Sequence, residues 1–165
     1  MKFHEGDTVM HWTYGLGQIL GMEERDLFGS KNLYYAVRVH DLTIWVPSDA
    51  ELQHRLRAPI TKAGFQELLD ILSHPGEPLP DDRHERRTRL LEYLGESSTQ
   101  SLCRIISGLH AYQKVRPLNE SDKSILKQSR SALLGEWEYV LSITPAQAEH
   151  ELSHVLAARP LPVAE

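Results

Sequence analysis

Leu33-Tyr34-Tyr35-Ala36-Val37-Arg38-Val39-His40-Asp41-Leu42-Thr43-Ile44-Trp45-Val46-Pro47 decides how the first third of the chain folds. Leu33, Tyr35, Val37 and Val39 alternate with Tyr34, Ala36 and Arg38; Leu42, Ile44 and Val46 alternate with Thr43 and Trp45. A period of two with one apolar parity is the pattern of strands that bury one face, and His40-Asp41 is a tight link between two of them. Upstream, Asp7 to Trp12 and Leu16 to Glu24 are two further extended stretches, with Gly15 in the turn between them and Gly29-Ser30 in the next connection. Four or five short strands in 60 residues are too few for a sandwich. They suit a small, strongly twisted barrel of the SH3 or Tudor type, closed to limit its exposed edges.

After Pro59 the period becomes helical. Phe65, Leu68, Leu69 and Leu72 fall at i, i+3, i+4 and i+7, a one-sided apolar stripe. The run His74-Pro75-Gly76-Glu77-Pro78-Leu79-Pro80 stops that helix. A second helix is expected from about Asp82 to Leu94, and a third carries Leu102, Ile105, Ile106 and Leu109. Asn119 caps a long fourth helix through Ile125, Leu126, Leu133, Trp137 and Leu141. Thr144-Pro145-Ala146-Gln147 has the cap, first-turn proline and Gln of a capping box, opening a last helix to about Ala158. The expected fold class is α+β: a barrel domain over 1–60, a bundle of about five helices over 61–158, and a flexible tail over 159–165.

Whole-chain charge is −5 and names no partner. Its distribution does. Residues 83–130 carry ten basic and five acidic side chains, whereas 1–60, 61–82 and 131–165 are each net negative. A local basic block is what can contact phosphate, although a solvated helical face gives the same count. Among the basic residues, Arg83, Arg86 and Arg89, spaced by three, are expected to meet phosphate; Lys114, Arg116, Lys123, Lys127 and Arg130 are further candidates. A single cysteine, Cys103, beside Leu102 on an apolar stripe, excludes a disulfide framework and reads as a buried thiol. No apolar run reaches the ~20 residues that a membrane helix needs, and the start lacks an apolar secretory core. The expectation is a cytoplasmic monomer without membrane contact.

His150-Glu151-Leu152-Ser153-His154 matches the H-E-x-x-H helix of zinc peptidases. Histidines at i and i+4 share a face, and the Glu could serve as general base. Against this, Ala148, Leu152, Val155 and Leu156 form the apolar face, from which both histidines point away, and no third ligand follows in the expected spacing. The expectation is no metal, no cofactor and no catalytic residues, with a zinc peptidase as the remote alternative.

Phe3-His4-Glu5-Gly6-Asp7-Thr8-Val9, Tyr14-Gly15-Leu16-Gly17-Gln18-Ile19, Met22-Glu23-Glu24-Arg25, Tyr34-Tyr35-Ala36-Val37 and Leu42-Thr43-Ile44-Trp45-Val46-Pro47 occur in order. Together they resemble the RNA-polymerase-interacting domain of the CarD/CdnL/TRCF family. Leu118-Asn119-Glu120-Ser121-Asp122-Lys123, Ala132-Leu133-Leu134-Gly135-Glu136 and the capped last helix extend the resemblance to CarD and CdnL over roughly 1–158. It implies a bacterial transcription regulator whose Tudor-like domain docks on the polymerase β subunit, partly by sheet-to-sheet pairing. The helical domain would lean on promoter DNA at the upstream edge of the bubble, weakly and without reading sequence.

Carried over position by position, the resemblance places Arg25 on the polymerase. A second family arginine falls on Trp45, which alternation puts on the outer face as an interface anchor or a packing residue; Arg38 is a further candidate. The family's tryptophan wedge falls on His84, aligned through Arg86-Arg87. An imidazole is smaller and less apolar, so it holds separated bases less well. The rival reading is an adaptor that docks on polymerase and makes no DNA contact.

Overall fold

The computed structural model describes residues 3–74 and 76–158, so the tail expected over 159–165 lies outside the described residues. The chain divides into two compact units, Met1–Pro59 and Ile60–Glu165. The class is α+β.

The first unit is a five-stranded antiparallel sheet formed by β1 (Thr8–His11), β2 (Gly15–Leu27), β3 (Ser30–Val39), β4 (Leu42–Pro47) and β5 (Leu56–Arg57), with a single-turn helix α1 (Leu52–Arg55) before β5. Strand order is β4-β3-β2-β1-β5, which leaves β4 and β5 as the two edges. Phe28 and Gly29 join β2 to β3 with φ of 58° and 82°, left-handed conformations whose twist matches that of the flanking strands. Gly17 marks a close approach. A Cβ there would lie 2.9 Å from the Arg38 carbonyl oxygen and equally close to methyls of Val37 and Val39.

Val9, Ile19, Tyr35, Val37, Val39, Val46, Leu52 and Leu56 form the core of this unit. Alternation therefore assigns Tyr35, Val37, Val39 and Val46 to the right face. Leu33 and Leu42 share that parity, yet stay about half exposed. Leu33 pairs with Glu24 on the far stretch of the β2–β3 hairpin, past the register shift between Ile19 and Gly21; Leu42 sits at the β3–β4 turn. Both run beyond the end of the core.

His11 closes β1, and its Nδ1 accepts the backbone N–H groups of Thr13 (3.1 Å) and Tyr14 (3.2 Å). Accepting both requires an unprotonated Nδ1, and burial pushes this imidazole down to about 4. The unfolded chain, with an ordinary histidine near 6.5, thus binds the proton more readily than the fold does. Stability contributed at neutral pH is lost as pH falls from about 6.5 towards 4. His11→Asn supplies a side-chain oxygen that accepts the same N–H groups and does not titrate. Denaturant midpoints measured across that window fall for the wild type, and the His11-dependent part of the fall is absent in His11→Asn.

The second unit holds α2 (Lys62–Ser73), α3 (Arg83–Glu96), α4 (Thr99–Gln113), α5 (Glu120–Leu141) and α6 (Pro145–Ala157). Each has a side-chain N-cap, from Thr61, Asp82, Ser98, Asn119 and Thr144 in turn. Helix α4 is the spine, because its buried residues serve two cores. Leu102, Cys103 and Ile106 pack with Phe65, Leu68, Leu72, Leu133, Trp137, Leu152 and Leu156. Ile105 and Leu109 pack with Leu79, Leu90, Leu94, Leu118 and Ile125. The Glu136 carboxylate is fully buried and accepts the Ile60 N–H (2.8 Å) and the Thr99 hydroxyl (3.0 Å), fastening the start of this unit to α5.

Candidate functional site

On the β unit, sheet register places Arg25, Trp45 and Arg38 on one face. Trp45 pairs with Ala36, Arg38 with Gln18 and Thr43, and Arg25 with Asn32, so all three share the parity opposite to the core. The Arg25 guanidinium lies 4.2 Å from the centroid of the Trp45 ring and 3.7 Å from a Glu23 carboxylate oxygen. A cation held over an indole is oriented before any partner arrives. The same β4 is an edge strand, and its Leu-Thr-Ile-Trp-Val-Pro sequence carries no charge to discourage pairing. Arg38 is exposed two residues further along β3.

On the helical unit the expected row of arginines is corrected. Arg86 is only 3% exposed, so it is no phosphate contact. Its Nε and Nη2 donate to both oxygens of Asp122 (3.0 and 2.9 Å), and its Nη1 donates to the carbonyls of Pro80 and Asp81 and to the Tyr112 hydroxyl. The guanidinium also stacks on the Tyr112 ring at 4.5 Å. The Asp122 partner raises the pKa of Arg86 further above its ordinary value. Spacing by three drifts about 60° per step around a helix of 3.6 residues per turn. Arg83 and Arg89 therefore flank the buried line on opposite sides, and Arg89 turns to Glu77 at 4.0 Å.

What Arg86 does is assemble a platform. It ties the start of α3 to the end of α4 and to the first turn of α5, where Asp122 also caps the helix by accepting the Asn119 N–H. The elements it joins carry exposed Arg83 and His84 in the first turn of α3, Lys114 and Arg116 after α4, and Lys123 and Lys127 on α5. Arg87, one helical turn from Arg83, joins them and donates to the Ser121 hydroxyl; its i+4 spacing from Arg83 was the available signal in the sequence. Arg116 lies 3.5 Å from Asp81 and Lys123 lies 3.4 Å from Glu120, both well exposed. Arg130 stands apart. It bridges α5 to α6 through Glu149 (3.2 Å) and Ser153 (3.3 Å).

The H-E-x-x-H residues lie on α6, with the His150 and His154 rings nearly parallel at 6.4 Å. They are exposed, and they rim a groove of about 430 Å³ whose other walls include Phe65, Leu69, Trp137 and Leu141. Glu151 accepts the Trp137 indole N–H at 3.1 Å. Among the described residues no group of three or more His, Cys, Asp or Glu is placed to hold a metal ion. Among them, too, no helix is long and apolar enough to cross a membrane.

Residues 3–58 match the family profile of the CarD-like/TRCF RID domain. The chain is also similar to the Bacillus subtilis (strain 168) protein named "Putative transcription factor YdeB": 25% identical over 151 residues, which is 88% of this chain and 96% of that one. The matched segment is the β unit that carries Arg25 and Trp45.

Proposed function

We propose that the protein is a bacterial, cytoplasmic transcription regulator that docks on the RNA polymerase β subunit and modulates open promoter complexes at the upstream edge of the bubble. The observation that carries the reading is Arg25 stacked on Trp45 beside an uncharged sheet edge, within the segment that matches the RID profile. Similarity to YdeB, a protein whose name describes a transcription factor, supports the same class. In this reading the edge of β4 pairs with a strand of the β subunit, and the Arg25–Trp45 pair anchors the contact. The platform around Arg86 then lies against duplex phosphates, with Arg83, Arg87, Lys114, Arg116 and Lys123 as cations and His84 towards the fork. No catalytic step, metal or cofactor enters.

Such contacts are weak alone, because each phosphate contributes only about 0.9 to the slope of log affinity against log salt. Docking on polymerase supplies the local concentration. The test follows the decay of polymerase–promoter complexes after adding a competitor. Full-length protein changes the lifetime of open complexes relative to polymerase alone, and Arg83→Ala with Arg87→Ala moves it back towards that of polymerase alone. Arg89→Ala, on the other side of α3, leaves the effect in place. A second reading, the adaptor without DNA contact, has its own observation: Arg116, Lys123 and Arg89 each stand beside an acidic side chain. A decay that the double variant leaves as the wild type sets it favours the adaptor.

A further inference from the structure

The H-E-x-x-H stretch of α6 has no part in polymerase docking or in the cation platform. Its two histidines, His150 and His154, stand about one helical turn apart, which brings their side chains to the same face. Their rings lie 6.4 Å apart between centroids and within 19° of parallel. Both are exposed. Rotation about their side-chain bonds is therefore free to bring one nitrogen of each to the ~2.0–2.1 Å from a shared ion that imidazole ligation requires. The backbone beneath them is fixed. Ala148, Leu152 and Leu156 are buried on the opposite side of α6, and the Thr144 capping box holds its start.

The surroundings favour a cation of one chemical class. His150 and His154 rim a groove whose lining includes the Glu151 carboxylate and, among the described residues, no Lys or Arg. Arg130 reaches α6 through Glu149 and Ser153, which a 100° step per residue puts on the other flank of the histidines from Glu151. Imidazole nitrogens suit zinc, copper and nickel, whereas magnesium and calcium take oxygen ligands. The arrangement is not a peptidase centre. Glu151, the general base of such a centre, turns its carboxylate to the Trp137 indole N–H at 3.1 Å. Among the described residues, no group of three His, Cys, Asp or Glu includes the pair.

We propose that His150 and His154 chelate one late first-row divalent ion, zinc(II), copper(II) or nickel(II), with water in the remaining positions. The chelate spans one turn of helix, so it forms only while α6 is helical. An ion that binds the folded chain and not the unfolded one stabilises the fold by mass action. Glu151 and Trp137 join α6 to α5, so the whole helical unit shares that stabilisation. The site rests on neither the Arg25 face nor the phosphate platform.

The test is isothermal titration of full-length protein, free of any His-tag, with zinc chloride and with copper(II). The wild type binds one ion of each, copper the more tightly, and magnesium does not compete. His150→Ala and His154→Ala each weaken zinc binding at least about tenfold, the lower end of what losing even an outer partner of a ligand costs. His54→Ala, an exposed histidine of the β unit 3.8 Å from Glu51, leaves it unchanged. Zinc at about a hundred times its Kd raises the Tm of the wild type by about 5–10 °C and leaves that of the double variant where it was. Paramagnetic broadening of backbone amide resonances by copper(II) centres on residues 150–154. Absence of zinc and copper binding by the wild type, equal competition by magnesium, or affinity unchanged in both single variants overturns the proposal. So does a Tm that zinc leaves unmoved in the wild type or raises equally in the double variant, or broadening centred elsewhere.

Discussion

Arg86→Ala destabilises the helical unit by about 3–5 kcal/mol, the range for removing one partner of a buried ion pair. The substitution strands the Asp122 carboxylate in a site where Arg86 met both of its oxygens, and it removes the donor that satisfies the Pro80 and Asp81 carbonyls and the Tyr112 hydroxyl. Asp122→Asn costs less, because an amide oxygen still accepts the Asn119 N–H that closes the cap of α5. Arg86→Met with Asp122→Leu recovers much of the loss, since two apolar groups need no partner, although it forfeits about 1 kcal/mol of capping. Denaturant midpoints of the four proteins order the effects. A cost for Arg86→Ala within about 0.5 kcal/mol of zero, as for surface substitutions, would return Arg86 to the surface as a phosphate contact.

Trp137→Ala costs a comparable amount, about 3–5 kcal/mol for deleting a buried aromatic. The indole is 1% exposed and tilts against the Phe65 ring with centroids 4.9 Å apart, so one side chain joins α5 to α2. Its N–H reaches Glu151 and so joins α5 to α6 as well. Trp137→Phe separates the two contributions: it keeps most of the packing and loses the hydrogen bond, a difference of about 1 kcal/mol. Thermal or denaturant melts of both variants check the split.

Local rules made most of the architecture legible. Period-two alternation located β3 and β4, and the cap residues Asn119 and Thr144 located the starts of α5 and α6. The single turn α1 escaped because four residues carry no period. Alternation put Trp45 outside the core, but its contact with Arg25, twenty residues away on β2, depends on strand register and on the length of the β2–β3 hairpin. Arg86 shows where charge reading fails. A basic block was counted as surface, yet Arg86, Leu90 and Leu94 fall at i, i+4 and i+8 on one helical line, and all three are buried. The helical phase could have removed Arg86 from the phosphate set and admitted Arg87. Its partner Asp122, 36 residues away, could not have been found by either route.

Direct binding of the full-length chain to RNA polymerase tests the central claim. Polymerase is titrated into labelled protein, and an isolated fragment of the β subunit is added as competitor. The wild type binds, the β fragment displaces it, and Arg25→Glu and Trp45→Ala, both folded, each raise Kd by about 30-fold or more, the equivalent of about 2 kcal/mol for a central anchor. Failure of the wild type to bind polymerase, or equal binding by both variants, contradicts the account.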